Sequence, residues 1–518
     1  MENTETNRSE NLLFFITIFL AGLCSLIYEL LISTTSSYFL GDSVMQFSLT
    51  IGIYMAAMGI GSYLTKFLNG NLLEWFVKIE LILGLIGGAS VPILYFIFDR
   101  LSPLEYQFAM LAITFLIGVL TGFEIPLLVR ILKENYPLSS NLAYVLSLDY
   151  IGALFATLLF PFLLLPFLGT FRTSIVFGLI NIGLGLLVYR FFTKAAPQNR
   201  KKPLELLALG CLLFFVGLAT FSGQLLKHWE DSFFTSRVVY SKQTPYQQLV
   251  VTKNKKDIRL YINRIIQFSS VDEYRYHETL GILPLHNAPY KKNILILGGG
   301  EGLLAREVLK FPEVETVTII DLDEEVFRLA KENTHIKTLN EEALLDPRVT
   351  TIAADAMIYL IEAEGLYDVI IADLPDPSND ALARLYSASF YKLVQNHLTP
   401  NGVFATQASS PFHTRNAFWC IYETIAASGF KHVYPFHTYV PSFGDWGFVL
   451  ASNLKKEPTN FKTGLTTRYL EPDLVKKMFF FAKDMSNPGN LSVNQLDKPN
   501  LLHYFLEDWE EFSKEQKN

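Results

Sequence analysis

The sequence predicts an α-helical membrane bundle of about seven spans, followed by an α/β domain with a doubly wound parallel sheet. Half of the 518 residues are hydrophobic and only 18% are charged, which is a low charged fraction for a soluble protein. The long uncharged runs are confined to residues 1–226. Strand and helix patterns alternate from residue 293 to about residue 452, with polar or glycine-rich residues after each strand.

Seven runs in the N-terminal half are long and apolar enough for membrane helices, because a bilayer core needs roughly 20 apolar residues per helix. They cover residues 12–32, 44–65, 77–98, 106–130, 142–168, 171–192 and 204–224. The first run is too long for the core of a signal peptide, and no small-residue cleavage site follows it. We therefore predict a multi-span domain over residues 1–226 and a multi-pass protein of the cell membrane.

Lysine and arginine residues are concentrated in the loops that share a face with the N-terminus. These loops lie near residues 66–78, 130–141 and 190–203, whereas the opposite loops contain only Arg100 and Arg172. The positive-inside rule then makes the N-terminus cytoplasmic, and seven spans place the C-terminal domain outside. If the substrate is a cytosolic metabolite, the C-terminal domain is instead expected in the cytoplasm. The side of the membrane on which this domain lies therefore stays open.

Four carboxylates lie in or at the edge of the apolar runs: Glu29, Glu80, Glu124 and Asp149. A charge buried in hydrocarbon costs at least about 2.5–3.5 kcal/mol, so such residues usually face the bundle interior or water. One interpretation is a cavity that accepts cations, lined by some of Glu29, Glu124 and Asp149. The other is that Glu80 is interfacial and that the rest pair with groups such as Arg130 and only fix helix packing.

Charge and cysteine content narrow the function classes. The net charge is −7 and no Lys/Arg block occurs outside residues 200–202, which argues against a nucleic-acid partner. Cys24, Cys211 and Cys420 are too far apart in the sequence to predict a zinc site. We predict no metal site.

The C-terminal half divides into a small β-strand subdomain over residues 227–290 and a Rossmann-like domain with a C-terminal tail over residues 291–518. Five short apolar strands are predicted in the second part, over residues 292–297, 317–320, 349–353, 367–372 and 402–406. The groups that follow them are residues 298–302, Asp321, Asp355, Asp373 and Gln407. Because ligands of doubly wound sheets bind outside the carboxyl ends of the strands, these groups predict a ligand site.

The type of ligand follows from the glycines and the first carboxylate. Glycines let the backbone approach a ligand, and Asp321 lies about 20 residues beyond them, where a carboxylate accepts from ribose hydroxyls. NAD is the competitor, but Leu303 stands where its fingerprint needs a third glycine. A nucleoside without phosphates, such as an S-adenosyl compound, fits better, which favours a fold of the class I methyltransferase type.

From about residue 244 to residue 450 the sequence resembles the polyamine aminopropyltransferases, or spermidine synthases. Residues 244–247 resemble the family's first-strand Tyr-Gln, and Gln267 with residues 272–278 resembles its Gln…Asp-Glu-x-x-Tyr-x-Glu segment. Residues 298–302 resemble Gly-Gly-Gly-Asp-Gly with Glu301 in place of Asp, and residues 367–377 resemble the catalytic Tyr-Asp-Val-Ile-Ile-x-Asp-x-x-Asp-Pro. The N-terminal half is similar to that of the membrane-fused members.

The resemblance implies a transferase of polyamine and spermidine biosynthesis that requires no cofactor. Its donor is decarboxylated S-adenosylmethionine, its acceptor is a diamine, commonly putrescine, and methylthioadenosine is released. Asp373 is implied as the base or amine-positioning group. The implied substrate- and donor-binding residues are Gln247, Gln267, Tyr276, His277, Gly298, Gly300, Glu301, Asp321, Asp355, Ala356, Asp376 and Gln407.

Two other functions stay open: methyl transfer from S-adenosylmethionine, and a polyamine transporter or sensor whose soluble domain binds without turnover. Residues 244–280, which a plain methyltransferase does not need, favour aminopropyl transfer over the first, and intact Asp373 and Asp376 favour it over the second. Residues 374–375 and 441–446 depart from the family pattern, so the amine acceptor stays open. The predicted partners are a small amine and the lipid bilayer, without nucleic acid, and a homo-oligomer stays open.

Overall fold

The computed structural model describes residues 2–40, 43–98, 100–133, 138–192, 198–234 and 236–515. The chain divides into two compact units, Met1–Thr235 and Ser236–Asn518. The first unit is helical, and the second combines two sheets with helices.

The N-terminal unit consists of long apolar helices, as the hydropathy runs predict. They are α1 Glu2–Leu40, α2 Ser43–Leu64, α3 Leu72–Phe98, α4 Pro103–Leu132, α5 Leu138–Leu159, α6 Leu165–Phe192 and α7 Gln198–Phe233, with a π-helical turn, Phe160–Leu164, between α5 and α6. By length and composition, six helices within the described residues are suited to cross a membrane.

The predicted seven runs and the six candidate spans differ at one place. The span Ser140–Phe191 is 52 residues long and covers both predicted runs at 142–168 and 171–192. Its helical backbone is interrupted at Gly169, which has φ 70° and ψ 176°, a conformation that only glycine adopts easily. This interruption falls between the two predicted runs, so the 52-residue span consists of two helical segments that meet at Gly169.

The structure corrects one of the two sequence-based interpretations of these carboxylates, and the cavity interpretation stays a prediction. Glu80 is fully buried rather than interfacial, and it interacts with the buried Glu124, whereas Glu29 and Asp149 are only half-buried. Neither carboxyl oxygen of Glu80 has a hydrogen-bond partner within the described residues. Arg130 is not the partner of these acids, because its guanidinium donates to the carbonyl oxygens of Thr65 at 2.6 Å and Leu68 at 3.0 Å.

The C-terminal unit begins with a four-stranded antiparallel sheet. Its strands, in spatial order, are β1 Arg237–Gln243, β2 Gln248–Asn254, β3 Asp257–Ile262 and β4 Ile265–Ser269, and helix α8, Glu273–Asn287, follows. The turn between β3 and β4 holds Asn263 at φ 48° and Arg264 at φ 69°, the left-handed pair that a two-residue hairpin requires.

A seven-stranded sheet forms the centre of this unit, in the order β10-β11-β9-β8-β5-β6-β7. Its strands are β5 Asn293–Gly298, β6 Thr316–Asp321, β7 Val349–Ala353, β8 Tyr367–Asp373, β9 Leu398–Gln407, β10 His432–Val440 and β11 Gly444–Ser452. The first five strands are parallel, which confirms the Rossmann-like fold, and β10 and β11 add an antiparallel edge. The strand order reverses between β5 and β8, and this is where ligands of such sheets bind.

Helices cover the sheet and close the chain. They are α9 Leu303–Val308, α10 Glu324–Glu332, α11 Thr334–Leu339, α12 Ala356–Glu362, α13 Asp380–Ala383, α14 Ala388–Asn396, α15 Arg415–Ala427, α16 Pro472–Met478 and α17 Asn500–Glu515. Helix α17 packs against α15 through buried Leu501 and Phe505. The carboxylate of Asp508 accepts hydrogen bonds from the Asn416 side chain at 2.7 Å and from the Ala417 amide at 3.0 Å, at the start of α15.

Candidate active site

The glycine loop after β5 brings the carboxyl ends of three strands together. Gly298 has φ 87°, and a Cβ on it would lie 1.9 Å from the carbonyl oxygen of Asp373. The amide of Gly300 donates to Oδ2 of Asp321 at 3.2 Å, and a Cβ on Gly300 would lie 2.6 Å from that oxygen. Glycine is needed here because any side chain would separate β5 from β8 or from β6.

A cavity of about 220 Å³ lies at these strand ends. With the exception of Gly300, the predicted site residues all line it: Gln247, Gln267, Tyr276, His277, Gly298, Glu301, Asp321, Asp355, Ala356, Asp373, Asp376 and Gln407. The structure thus brings together residues from the small sheet, from α8 and from the ends of β5, β6, β8 and β9. Gly300 does not line the cavity, but its amide donates a hydrogen bond to Asp321, which does.

Asp373 ends β8 inside the cavity and is held by one tyrosine. The hydroxyl of Tyr276 donates to Oδ1 of Asp373 at 2.6 Å. Burial raises the pKa of Asp373 to about 6, the charge of Glu301 adds to this effect, and His277 and the Tyr276 hydroxyl oppose it. A carboxylate with such a pKa is poised to take a proton near neutral pH.

The loop that carries Asp376 is fixed by hydrogen bonds to its backbone. Tyr386 donates its hydroxyl to the carbonyl oxygens of Leu374 at 3.1 Å and Pro375 at 3.0 Å. The amide nitrogen of Gln407 donates to the Leu374 carbonyl at 2.7 Å and reaches Oδ1 of Asp376 at 3.5 Å. The second carboxylate is therefore aimed into the cavity beside the first, and burial raises its pKa to about 7.

Asp321 and Asp355 have different surroundings, although both follow a strand. Asp321 accepts from the amides of Gly300 and Asp323, and burial raises its pKa to about 7. Asp355 caps helix α12 by accepting from the amides at positions 357 and 358, at 3.0 and 3.1 Å. Its other oxygen is paired with Arg384, which also lines the cavity.

Comparison with known proteins settles the family. A profile described as "Spermine/spermidine synthase domain" matches residues 273–463. A polyamine aminopropyltransferase of Leptospira interrogans is 41% identical over 499 residues, which cover 96% of this chain and 98% of that protein. Polyamine aminopropyltransferase 2 of Ralstonia nicotianae is 40% identical over 510 residues, with 96% and 98% covered. The chain belongs to the polyamine aminopropyltransferase family.

The predicted family and enzyme class are thereby confirmed, and the match extends through the N-terminal helical unit as well as the C-terminal one. A solved spermidine synthase in complex with the transition state analogue AdoDATO is 26% identical, with a TM-score of 0.45. The alignment covers 48% of this chain and 88% of that one. The roles of the individual site residues in this aminopropyltransferase stay predictions.

Three groups of the aminopropyltransferase cavity have the spacing of a metal site, although no metal site was predicted. The ligand atoms of His277, Glu301 and Asp373 all lie within 4.8 Å of one another. Nδ1 of His277 donates to Glu273, and Nε2 faces Glu301 at 3.7 Å. An imidazolium between two carboxylates has no lone pair for a metal ion, so this donor set suits a charge network rather than a metal.

Some residues that line the aminopropyltransferase cavity were not named as site residues from the sequence. Phe443, in the turn between β10 and β11, and Trp446, in β11, belong to residues 441–446, which the sequence analysis noted only as a departure from the family pattern. Arg384 follows α13, and no local signal identified it because its position depends on the distant ion pair with Asp355.

Proposed function

We propose that this protein is a membrane-bound aminopropyltransferase that uses decarboxylated S-adenosylmethionine as donor and putrescine or another amine as acceptor. It releases methylthioadenosine, forms spermidine or a related polyamine, and requires no cofactor. The observation that carries the proposal is the pair of half-buried carboxylates that line a single cavity, Asp373 at the end of β8 and Asp376 in the loop that follows. That cavity also contains Asp321 and Glu301, which suit the donor.

The proposed chemistry needs a neutral amine next to the donor sulfonium. The amine nitrogen forms a bond to the propyl carbon, the bond from that carbon to sulfur breaks, and its electron pair stays on the sulfur of methylthioadenosine. The carboxylate of Asp373 takes the proton that the nitrogen loses. Asp376 binds the distal ammonium of the acceptor, and the alignment of the two reactants lowers the barrier further.

Glu301 supports the donor assignment. Its Oε1 atom is buried, has no hydrogen bond within the described residues and faces Nε2 of His277 only at 3.7 Å, so it can accept a further donor. The primary ammonium of a decarboxylated donor supplies that hydrogen bond. S-Adenosylmethionine carries the same ammonium, but its carboxylate would add a second negative charge near Glu301, which disfavours the methyltransferase alternative.

The experiment that tests this function uses the full-length protein in detergent. We expect turnover of decarboxylated S-adenosylmethionine with at least one diamine, detected by mass spectrometry as the alkylated amine and methylthioadenosine in equal amounts. S-Adenosylmethionine with the same amines is the control. Methylated product from S-adenosylmethionine, with no turnover of the decarboxylated compound, would overturn the proposal.

Replacing Asp321 tests the donor site. We expect Asp321→Ala to weaken donor binding by at least about 1.5 kcal/mol in calorimetry, because the ribose hydroxyls lose a charged acceptor. Asp346→Ala is the matched control, since Asp346 precedes β7 but pairs with Arg348 and does not line the cavity. Unchanged donor affinity in Asp321→Ala would show that this carboxylate only holds the Gly300 and Asp323 amides.

The membrane assignment rests on the six candidate spans of the N-terminal unit. We infer a transmembrane domain over residues 1–226, a β-strand subdomain over residues 227–290 and a catalytic domain over residues 291–518. Protein that stays with the membrane fraction after alkaline washing would support integration into the bilayer. Release into the supernatant would contradict it, and protease access to residues 236–515 in sealed vesicles would give the side of the catalytic domain.

A further inference from the structure

Three buried charged side chains are linked in a row, and the last of them, His277, lines the cavity. The guanidinium of Arg306 binds the carboxylate of Glu273 with two hydrogen bonds, at 3.0 and 2.9 Å. The same carboxylate accepts from Nδ1 of His277 at 2.8 Å. All three side chains are at most 9% exposed, and of the three only His277 lines the cavity.

The other edge of the imidazole faces the cavity. Its Nε2 atom lies 3.7 Å from Oε1 of Glu301, and Asp373 lies within 4.8 Å of both groups. Burial alone lowers the pKa of His277, but Glu273 and Glu301 outweigh it and raise this pKa to about 10. His277 is therefore a fixed positive charge across the physiological pH range.

The remaining titratable groups around this charge are few. Tyr276, from the same helix, donates to Asp373, and the charge of Glu301 contributes to the raised pKa of Asp321, at the end of β6. On the far side, Glu307 pairs with Arg306 at 2.9 Å and with Lys310 at 2.6 Å. Within the described residues, His277 is the cation that acts most directly on Asp373.

We propose that Glu273 and Arg306 are positioning residues that hold His277 as a fixed cation beside Glu301 and Asp373, and so keep Asp373 ionised in the cavity. The proposal rests on the function proposed above. Two forces oppose an ionised Asp373, namely its burial and the charge of Glu301. A positive charge within about 4–6 Å favours a carboxylate over its protonated form.

The geometry explains how Glu273 and Arg306, which do not line the cavity, position His277. A bidentate arginine fixes both oxygens of a carboxylate, so Glu273 cannot rotate away from His277. The fixed Glu273 sets which imidazole nitrogen points back and thus directs Nε2 at Glu301. Loss of the pair leaves Nδ1 with only the Glu273 backbone carbonyl, at 2.9 Å, and removes the counter-charge that keeps the ring protonated.

The test is the pH dependence of kcat/KM for the full-length protein in detergent, with decarboxylated S-adenosylmethionine and its best amine. In the wild type, activity should fall as the pH drops through the pKa of Asp373, about 6, because the base works only when ionised. In Glu273→Gln we expect this acid limb to move by about one pH unit or more towards alkaline pH. Activity near pH 6 should fall at least about fivefold and approach the wild type near pH 9.

The matched control is Glu278→Gln. Glu278 is buried on the same helix, but its carboxylate accepts from the amides of residues 468–470 and does not line the cavity. We expect this variant to be less stable than the wild type, while the fall of kcat/KM at acid pH stays at the wild-type position. If Glu273→Gln fails to fold because Arg306 is left unpaired, the double variant Glu273→Gln/Arg306→Met removes both charges and should show the same alkaline movement.

An acid limb that coincides with the wild type in a folded Glu273 variant overturns the inference. So does an equal loss of activity at all pH values, since this indicates a merely structural role. Failure of the proposed function gives a different result, because the wild type itself would then turn over no decarboxylated donor.

Discussion

Asp373→Asn is expected to lower kcat by about 10²–10⁴-fold, the usual effect of losing a general base. An asparagine amide has the size of the carboxylate but cannot take a proton from the attacking amine. It still offers an oxygen to the Tyr276 hydroxyl, which donates at 2.6 Å in the wild type, so the cavity should keep its shape. Donor affinity, measured by calorimetry, should therefore stay nearly unchanged.

Asp368→Asn is the matched control for this variant. Asp368 lies near the other end of the same strand, where its carboxylate accepts from the amides of Lys292 at 2.9 Å and Asn293 at 3.2 Å. We expect reduced thermal stability and nearly normal turnover. A kcat for Asp373→Asn within about threefold of the wild type would remove this residue from the chemistry, because that is far below the loss of a general base.

Gly298→Ala is expected to damage both the fold and the reaction. Its Cβ would lie 1.9 Å from the Asp373 carbonyl oxygen, and at φ 87° an alanine is also strained. Relief of this contact must move β5 or β8, so we expect the free energy of unfolding to fall by about 2–4 kcal/mol. A displacement of Asp373 by about 1 Å should lower kcat by roughly 10²-fold.

Gly464→Ala controls for the loss of a glycine in the same unit. It lies between β11 and α16, and a Cβ there meets no atom within 4 Å. We expect Gly298→Ala to have a lower melting temperature and a lower kcat than this control variant. A Gly298→Ala protein with the wild-type melting temperature and turnover would show that the β5–β8 contact adjusts without cost.

The main features of the candidate site could be predicted because they are local in the sequence. Each parallel strand is a short apolar run, and the residue after it must lie at the same edge of the sheet as its neighbours. Asp321, Asp355 and Asp373 were predicted in this way, and all three line the cavity. The same rule does not separate a ligand-binding carboxylate from a helix cap, and Asp355 also caps α12 and pairs with Arg384.

Features that depend on distant contacts were not accessible from the sequence. Hydropathy gives the length of an apolar helix but not the direction of its polar residues, so the contact between Glu80 and Glu124 was missed. Arg130 was proposed as a partner for these acids, yet it binds backbone carbonyls at the end of α2 and the following turn. Likewise, the bidentate contact between Glu273 and Arg306 joins residues 33 positions apart.

The packing of α17 on α15 determines which fragments of the enzyme unit are worth expressing. The profile match ends at residue 463, but a fragment that ends there would uncover the apolar face of α15 that Leu501 and Phe505 bury. It would also leave the start of α15 without the Asp508 carboxylate. Such a fragment would expose a hydrophobic patch and would be prone to aggregation. A fragment of residues 236–515 keeps this helix and is the better starting point for crystallisation.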